Sequence, residues 1–338
     1  MDNLNFNQRM AAFVALGNRF KQAANDQIAH EPRHQNAWFS PQNVRFALQN
    51  WSDCLTLPQL SAWLDGYQIA DSPTQKNIGI IMAGNIPMVG FHDLMCVLLS
   101  GHRALVKISS SDKILMRFAI DGLIEIEPRF EERIEQVELL KNFDAIIATG
   151  SGNTSRYFDY YFAHVPSIIR KNRTSVAVLM GKENEQDLVA LGQDIFTYFG
   201  LGCRNVSKLY VPEGYDFIPF FDAMEVFSDI KNHYKYFNNY EYNLAILLVN
   251  GTHHYTNGFL IATESQSLVS SIGVLYYETY ASEQDLADKI LAAQPNIQCV
   301  VGAENIHFLD AVPFGLAQTP QLSGYADGVD TLAFLNSI

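Results

Sequence analysis

The sequence predicts an α/β protein with two Rossmann-like domains, each built on a parallel sheet, after a helical N-terminal segment. Short apolar runs alternate with amphipathic segments from about residue 76 onward, which is the pattern of parallel strands joined by helices. The alternation starts again near residue 173, and 338 residues suffice for two hydrophobic cores. Before residue 76, apolar side chains recur at helical spacing instead, from Met10 to Phe20.

The N-terminal segment carries two signals for the start of a helix. Ser40-Pro41 places a capping side chain before a proline at the first helical position, and Thr56-Leu57-Pro58 is similar. The aromatic residues around these signals are most simply members of a hydrophobic core.

The first α/β region contains three apolar runs that predict strands buried on both faces, at residues 78–83, 104–108 and 144–148. Helices are predicted at residues 91–99, before Gly101, and from a cap at residues 109–112 to about Glu127. The turn Thr149-Gly150-Ser151-Gly152 then opens another helix. Because ligands of such sheets bind at the carboxyl ends of strands, this turn and Lys107 are candidate contacts for phosphate or ribose. An ordinary turn and a solvated strand end explain the same residues.

The second region has five predicted strands, at residues 175–179, 207–211, 244–249, 273–277 and 299–302. Helices are predicted at residues 183–199, 215–227 and 283–293, the last of them capped by Ser282. His253-His254 falls in a polar loop, and adjacent side chains do not share a face. No metal site is therefore predicted.

Cys203 lies on the predicted connection between a helix and a strand. Gly200 and Gly202 are expected to end the helix, since glycine readily adopts left-handed conformations. Arg204 and Lys208 add positive charge, which favours a thiolate at an accessible cysteine. The local pattern fits a nucleophile and a small buried hydrophobe equally well.

The composition excludes several classes of protein. The net charge of −13 gives no basic field for binding nucleic acid. No run of about 18 apolar residues predicts a membrane span, and no signal peptide is apparent at the N-terminus. The four cysteines are far apart and show no metal-binding spacing. They are expected to be thiols in a reducing compartment, so a cytoplasmic protein is predicted.

Five short motifs between about residues 77 and 330 occur in the order found in the aldehyde dehydrogenase superfamily. They are Gly84-Asn85-Ile86-Pro87, Leu105-Val106-Lys107-Ile108-Ser109, Ala148-Thr149-Gly150-Ser151, Gly200-Leu201-Gly202-Cys203, and Pro313-Phe314-Gly315 with Ser323-Gly324-Tyr325. The chain therefore resembles that superfamily, and the resemblance implies an aldehyde dehydrogenase-like fold. It also implies a domain plan: a helical N-terminus with a dinucleotide-binding domain (1–172), a catalytic thiol domain (173–312), and a segment returning to the cofactor domain (313–338).

The resemblance gives each matched residue an implied role. Cys203 would be the catalytic nucleophile, and the Asn85 amide would donate to the oxyanion. The implied cofactor contacts are Lys107, Ser109, Ser110, Thr149, Gly150, Ser151, Pro313 and Phe314. Members that prefer NAD usually carry a glutamate at the position of Ser110. A serine neither repels nor crowds a 2′-phosphate, so NADPH is the expected cofactor.

One departure from the family pattern indicates the reaction. Hydrolytic members carry a Glu-Leu-Gly-Gly segment whose glutamate activates water, whereas this chain has Arg170-Lys171-Asn172-Arg173. Without that base, the acyl group should exchange with another thiol. The Cys203 segment is most similar to LuxC-type long-chain acyl-CoA reductases. The expected function is thus NADPH-dependent reduction of an acyl-CoA, of fatty acyl type, to the aldehyde through an acyl-cysteine.

Two alternatives remain open. A reductase of acyl phosphates also lacks the hydrolytic glutamate, and a catalytically inactive, nucleotide-binding member of the superfamily would tolerate an arginine there. An acyl-carrier thioester would serve as donor as well as acyl-CoA. The family also implies either a homodimer or a partner protein for acyl transfer.

Overall fold

The computed structural model describes residues 4–71, 74–150, 152–303 and 310–338. The chain divides into two units: unit 1 comprises the described residues up to Asn172 together with Gln321–Ile338, and unit 2 is Arg173–Pro320. The chain therefore returns to unit 1 at Gln321, whereas the prediction put this return at residue 313.

The helices of the described chain are α1 (Phe6–Ala23), α2 (Pro41–Cys54), α3 (Leu57–Leu64), α4 (Phe91–Leu99), α5 (Lys113–Ile126), α6 (Gly152–Tyr161), α7 (Glu185–Phe196), α8 (Ile218–Met224), α9 (Tyr234–Val249), α10 (Glu283–Ala293) and α11 (Thr331–Asn336). The strands are β1 (Asn77–Ile81), β2 (Arg103–Lys107), β3 (Ile134–Gln136), β4 (Ala145–Thr149), β5 (Ser167–Arg170), β6 (Thr174–Val178), β7 (Val206–Pro212), β8 (His254–Thr256), β9 (Ile261–Glu264), β10 (Val274–Tyr280), β11 (Ile297–Val301) and β12 (Ala311–Val312).

Unit 1 contains a parallel sheet with the strand order β3-β2-β1-β4-β5. Along the chain, the central strand β1 comes first, β2 and β3 are then added on one side of it, and β4 and β5 on the other. The strand order therefore reverses direction between β1 and β4, and sheets of this kind have a ligand-binding crevice at that point. The three central strands match the predicted runs because their side chains are buried on both faces.

The core of unit 1 packs helices α1 and α4 together through aromatic rings. Phe91 of α4 makes edge-to-face contacts with Phe13 and Phe20 of α1, with ring centroids 6.2 and 5.4 Å apart. Helix α2 starts as predicted, since the Ser40 hydroxyl accepts a hydrogen bond from the Asn43 N–H.

Unit 2 contains a second sheet, with the order β12-β11-β6-β7-β10-β9-β8. Its strands are parallel except for β8, which pairs antiparallel with β9. His254, predicted in a loop, is the first residue of β8.

The predicted strand at residues 244–249 is wrong, because these residues form the last turns of α9. A short apolar run fits a helix and a strand equally well by periodicity. Here the helix that begins at Tyr234 simply continues, and it leaves Leu248 63% and Val249 87% exposed.

Among the described helices, none combines the length and the apolar character that crossing a membrane requires.

Candidate active site

Three segments of unit 1 that the sequence singled out meet at the carboxyl edge of the sheet. Lys107 at the end of β2 pairs in register with Ile81 at the end of β1, and Ile81 pairs on its other side with Ala148 of β4. Lys107 and Thr149 are therefore the last residues of the two strands that flank β1, and the Asn85 turn follows β1 itself. This is the edge at which parallel sheets bind nucleotides.

Lys107 and its neighbours present an exposed polar face. The side chains of Lys107 and Ser110 are exposed, whereas Ser109 is half-buried and its hydroxyl accepts a hydrogen bond from the Ser111 N–H at 3.3 Å. An exposed ammonium group at a strand end suits a phosphate or a ribose hydroxyl.

The turn after β4 brings the backbone close to the start of α6. A Cβ atom at Gly150 would lie 2.9 Å from the Phe158 ring and 3.1 Å from Thr154, so the position needs glycine. The turn leads into the N-terminus of α6, where backbone N–H groups can donate hydrogen bonds to an anion. With Lys107 two strands away, at the end of β2, this arrangement fits an anionic dinucleotide. Ser151 lies outside the described residues.

Asn85 stands exposed on the turn after β1. The turn packs tightly against the segment after β2, because a Cβ at Gly84 would lie 2.3 Å from the Ser109 hydroxyl oxygen. An exposed amide on a tightly held turn is suited to donate to a substrate.

In unit 2, the segment before Cys203 differs from the prediction. Helix α7 ends at Phe196, three residues before the predicted end, and Tyr198 and Phe199 already adopt left-handed conformations with φ of 55° and 59°. Each such non-glycine residue costs roughly 1–2 kcal/mol. Packing offsets this cost, since Tyr198 is buried and Phe199 stacks on His233 at 4.0 Å. Strain of this kind is concentrated at functional sites.

Cys203 is half-buried on the turn that follows, and a buried serine holds its backbone. The Ser175 hydroxyl of β6 donates to the Cys203 carbonyl at 3.1 Å. The same oxygen accepts the Cys299 N–H at 3.3 Å and lies 3.0 Å from the Cys299 sulfur. Ser175 thus ties the Cys203 turn to β6 and β11.

The two cations near Cys203 in the sequence, Arg204 and Lys208, interact with other groups. The Lys208 ammonium is buried, donates to the Gln266 carbonyl at 3.0 Å and pairs with Glu278. Burial raises the pKa of the Cys299 thiol, and Arg204 and Ser175 oppose that rise. The raised pKa disfavours a Cys299 thiolate at neutral pH, and the thiolate is the nucleophilic form.

Asp194 of α7 holds the turn that contains Pro313 and Phe314. Its carboxylate accepts the Gly315 N–H at 2.6 Å and the Ala317 N–H at 2.9 Å. Pro313 and Phe314, predicted to return to the cofactor domain, accordingly belong to unit 2 and are half-buried there. An aspartate on the apolar face of a helix was the one sequence signal for this contact.

The Asp194 contact makes the stability of the protein depend on pH. Burial raises the pKa of Asp194 to about 6, against the two N–H donors, while the unfolded value is near 3.9. The folded state therefore holds the proton more tightly, and the stability gained at low pH is lost as the pH rises through 6. We expect the difference in unfolding free energy between wild type and Asp194→Asn to fall by about 2 kcal/mol from pH 4 to pH 7.

Urea titrations of both proteins at several pH values measure this difference. Asparagine does not titrate. Replacing one carboxylate oxygen by an amide group therefore changes the unfolding free energy of the variant by the same amount at every pH. Parallel curves would show that the pKa of Asp194 is not raised.

Arg170, which the sequence analysis matched to the segment of the hydrolytic glutamate, is buried in unit 1. Its guanidinium pairs with Asp93 of α4 at 2.6 Å, and donates to the Thr331 hydroxyl at 2.9 Å and the Ala326 carbonyl at 2.5 Å. Burial lowers the pKa of this guanidinium, but the charge of Asp93, its hydrogen bond and the charge of Asp327 contribute to a net rise. Arg170 thus ties β5 to α4 and to the C-terminal segment.

Solved aldehyde dehydrogenases share this fold. The P. syringae indole-3-acetaldehyde dehydrogenase AldA, as a variant bound to NAD+ and IAA, matches with a TM-score of 0.67 and 13% identity over 92% of this chain and 76% of that one. Staphylococcus aureus betaine aldehyde dehydrogenase with NAD+ gives 0.68 and 13%, over 91% and 74%. A protein of Anabaena variabilis described as an aldehyde dehydrogenase, PutA, gives 0.69 and 12%, over 98% and 86%.

Neither the protein-family models nor the curated proteins gave a match to this chain. At these identities the likeness is one of fold. The predicted aldehyde dehydrogenase-like fold is thereby confirmed.

Proposed function

We propose that this protein reduces an acyl-CoA thioester, of fatty acyl type, to the aldehyde through a covalent acyl group on Cys203. The observation that carries the proposal is the environment of Arg170. Where hydrolytic members of the superfamily have a general base, this chain has a guanidinium bonded to Asp93, Thr331 and a backbone carbonyl. A cation so engaged cannot activate water, so the acyl group is kept for reduction.

Each step has a residue of this chain in a defined role. The Cys203 thiolate attacks the thioester carbonyl, its sulfur forms the new bond, and coenzyme A leaves as a thiolate that takes up a proton. The Asn85 amide and the Cys203 N–H donate to the oxygen that becomes negative during attack. The chemistry that NADPH would supply, when held by the unit 1 residues, is the hydride for reduction of the acyl group. The Cys203 sulfur then departs as the thiolate, ready for the next cycle.

The cofactor contacts proposed for unit 1 follow the carboxyl edge of its sheet. Lys107 and Ser109 would hold the adenosine ribose, and Ser110 leaves space for the 2′-phosphate that distinguishes NADPH from NADH. Thr149, Gly150 and Ser151 would contact the pyrophosphate. We also propose that Pro313 and Phe314, which belong to unit 2, contact the cofactor.

The test of the function is NADPH consumption, followed at 340 nm, with a panel of donors. Palmitoyl-CoA, short acyl-CoAs, an acyl-carrier thioester and an acyl phosphate are compared, and the products are separated as aldehyde and acid. Aldehyde from acyl-CoA supports the proposal. Turnover of the acyl phosphate alone would favour the alternative reductase, and no turnover with any donor would favour an inactive nucleotide-binding protein. Cytoplasmic location, and a homodimer or an acyl-transfer partner, stay predictions from the sequence.

Asn85→Ala tests the proposed oxyanion donor. Loss of one such donor costs about 3 kcal/mol of transition-state stabilisation, so we expect kcat to fall by two to three orders of magnitude. The affinity for NADPH should be unchanged, because the amide acts on charge that develops during the reaction. Asn25→Ala, at an exposed asparagine in unit 1, is the matched control. An unchanged kcat would remove Asn85 from the site.

A further inference from the structure

The turn that carries Asn85 is held at both ends by the segment that follows β2. At one end, Gly84 lies against Ser109 so closely that a Cβ would overlap its hydroxyl oxygen at 2.3 Å. At the other end, the Met88 N–H donates to an Asp112 carboxyl oxygen at 2.7 Å. The position of Asn85 between these two contacts is therefore set by residues outside its own turn.

Asp112 makes this contact at a cost. The side chain is 2% exposed, and its second oxygen, Oδ1, has no hydrogen-bond partner among the described residues. Burial raises the pKa of this carboxyl well above its usual value, against the hydrogen bond from Met88. Burying a carboxyl with one oxygen unsatisfied costs stability, so the group is expected to have a use.

Capping of a helix is not that use. Asp112 occupies the position before the first residue of α5, where an aspartate side chain ordinarily accepts the N–H groups of the first turn. Its side chain makes no such bond. Instead it accepts a hydrogen bond from the Met88 N–H, on the segment that follows the neighbouring strand β1.

Met88 is the residue of the turn that needs support. It follows Pro87 and has a φ of 58°, a left-handed conformation that costs a non-glycine residue roughly 1–2 kcal/mol. Its side chain is fully buried, so glycine could replace it only with a loss of packing. The Asp112 bond fixes the strained peptide and, through it, the direction of the three residues before it.

We infer that Asp112 is a positioning residue that orients the Asn85 amide toward the substrate oxygen from the segment that also carries Lys107, Ser109 and Ser110. The inference rests on the proposed function, in which Asn85 is the oxyanion donor. Asp112 does not touch the substrate. It couples the cofactor-binding segment to the turn that stabilises the transition state.

The expected effect is on kcat and not on cofactor affinity. Displacing a catalytic group by about 1 Å costs up to roughly a hundredfold in rate, so Asp112→Ala should lower kcat ten- to hundredfold. The dissociation constant for NADPH, measured by fluorescence, should change less than twofold. Asp112→Asn keeps an oxygen for Met88 and adds no charge, and it should retain kcat within about threefold. Asp121→Ala, at an exposed aspartate of α5, is the matched control.

A double-mutant cycle with Asn85→Ala separates positioning from general stability. If Asp112 acts through Asn85, Asp112→Ala should lower kcat no further once Asn85 is absent. Independent losses that multiply, or an Asp112→Asn protein as impaired as Asp112→Ala, would overturn the inference while leaving the proposed function intact. Failure of the wild-type protein to reduce any acyl-CoA would overturn both. Asp112→Ser replaces Asp112→Ala in the cycle if the alanine variant does not fold.

Discussion

Cys203→Ala will abolish transfer of a radiolabelled acyl group from acyl-CoA to the protein and will reduce aldehyde formation to background. Sulfur is the atom that carries the acyl group in the proposed reaction, and alanine offers no nucleophile in its place. NADPH should still bind with wild-type affinity, because the proposed cofactor contacts at the sheet edge of unit 1 are untouched. Acyl labelling is measured after denaturation, so that only covalent attachment counts.

Two further variants make the Cys203 result specific. Cys54→Ser removes a half-buried thiol from the end of α2 and should label like the wild type. Cys203→Ser keeps the shape of the side chain but should lose most activity, since a hydroxyl is far less ionised at neutral pH. Persistent labelling of Cys203→Ala would assign the acyl group to another residue. Cys299 would then be the first to test, although its raised pKa argues against it.

The features of the fold that were predictable are those encoded by contiguous residues. Strands β1, β2 and β4 appear as apolar runs because the sheet buries both of their faces. Strand β3 has three residues, two of them exposed and polar, and no run marks it. The turn after α7 was predicted at Gly200 and Gly202, which do have positive φ values of 78° and 117°. It begins earlier than predicted, at Tyr198 and Phe199, because tertiary packing stabilises their left-handed conformations.

The contacts that hold the candidate site were not predictable, since each joins residues distant in the chain. Asp194 and Gly315 are 121 positions apart, and Ser175 and Cys299 are 124 apart. The sequence shows only that an aspartate lies on an apolar helix face. Which backbone N–H groups it accepts depends on the order of strands in the sheet, and that order follows from three-dimensional packing. The motifs thus predict which residues react, and the structure shows which contacts hold the turns that carry them.

Arg170→Met should destabilise the protein by about 3–5 kcal/mol, because it leaves the Asp93 carboxylate buried without its partner. Chemical denaturation followed by circular dichroism measures the loss. Lys171→Met is the matched control: the adjacent lysine forms an exposed pair with Asp159 at 3.5 Å, worth about 1 kcal/mol or less. Asp93→Asn combined with Arg170→Met should recover much of the loss, since the unpaired charge is then gone. Equal stability of Arg170→Met and wild type would show that the ion pair is not structural.

The same position allows a test of whether a carboxylate there would be enough to give hydrolysis of an acyl-CoA. Arg170→Glu restores the residue type of the hydrolytic members, but it places a second carboxylate beside Asp93 and removes the donors to Thr331 and Ala326. Like charges in a buried site repel, so this variant should be at least as unstable as Arg170→Met and should release no more acid from acyl-CoA than the wild type. A stable Arg170→Glu protein that forms free acid would mean that the arginine had only displaced the catalytic base. Its buried partners argue otherwise, because Asp93, Thr331 and the Ala326 carbonyl form a site that suits a cation.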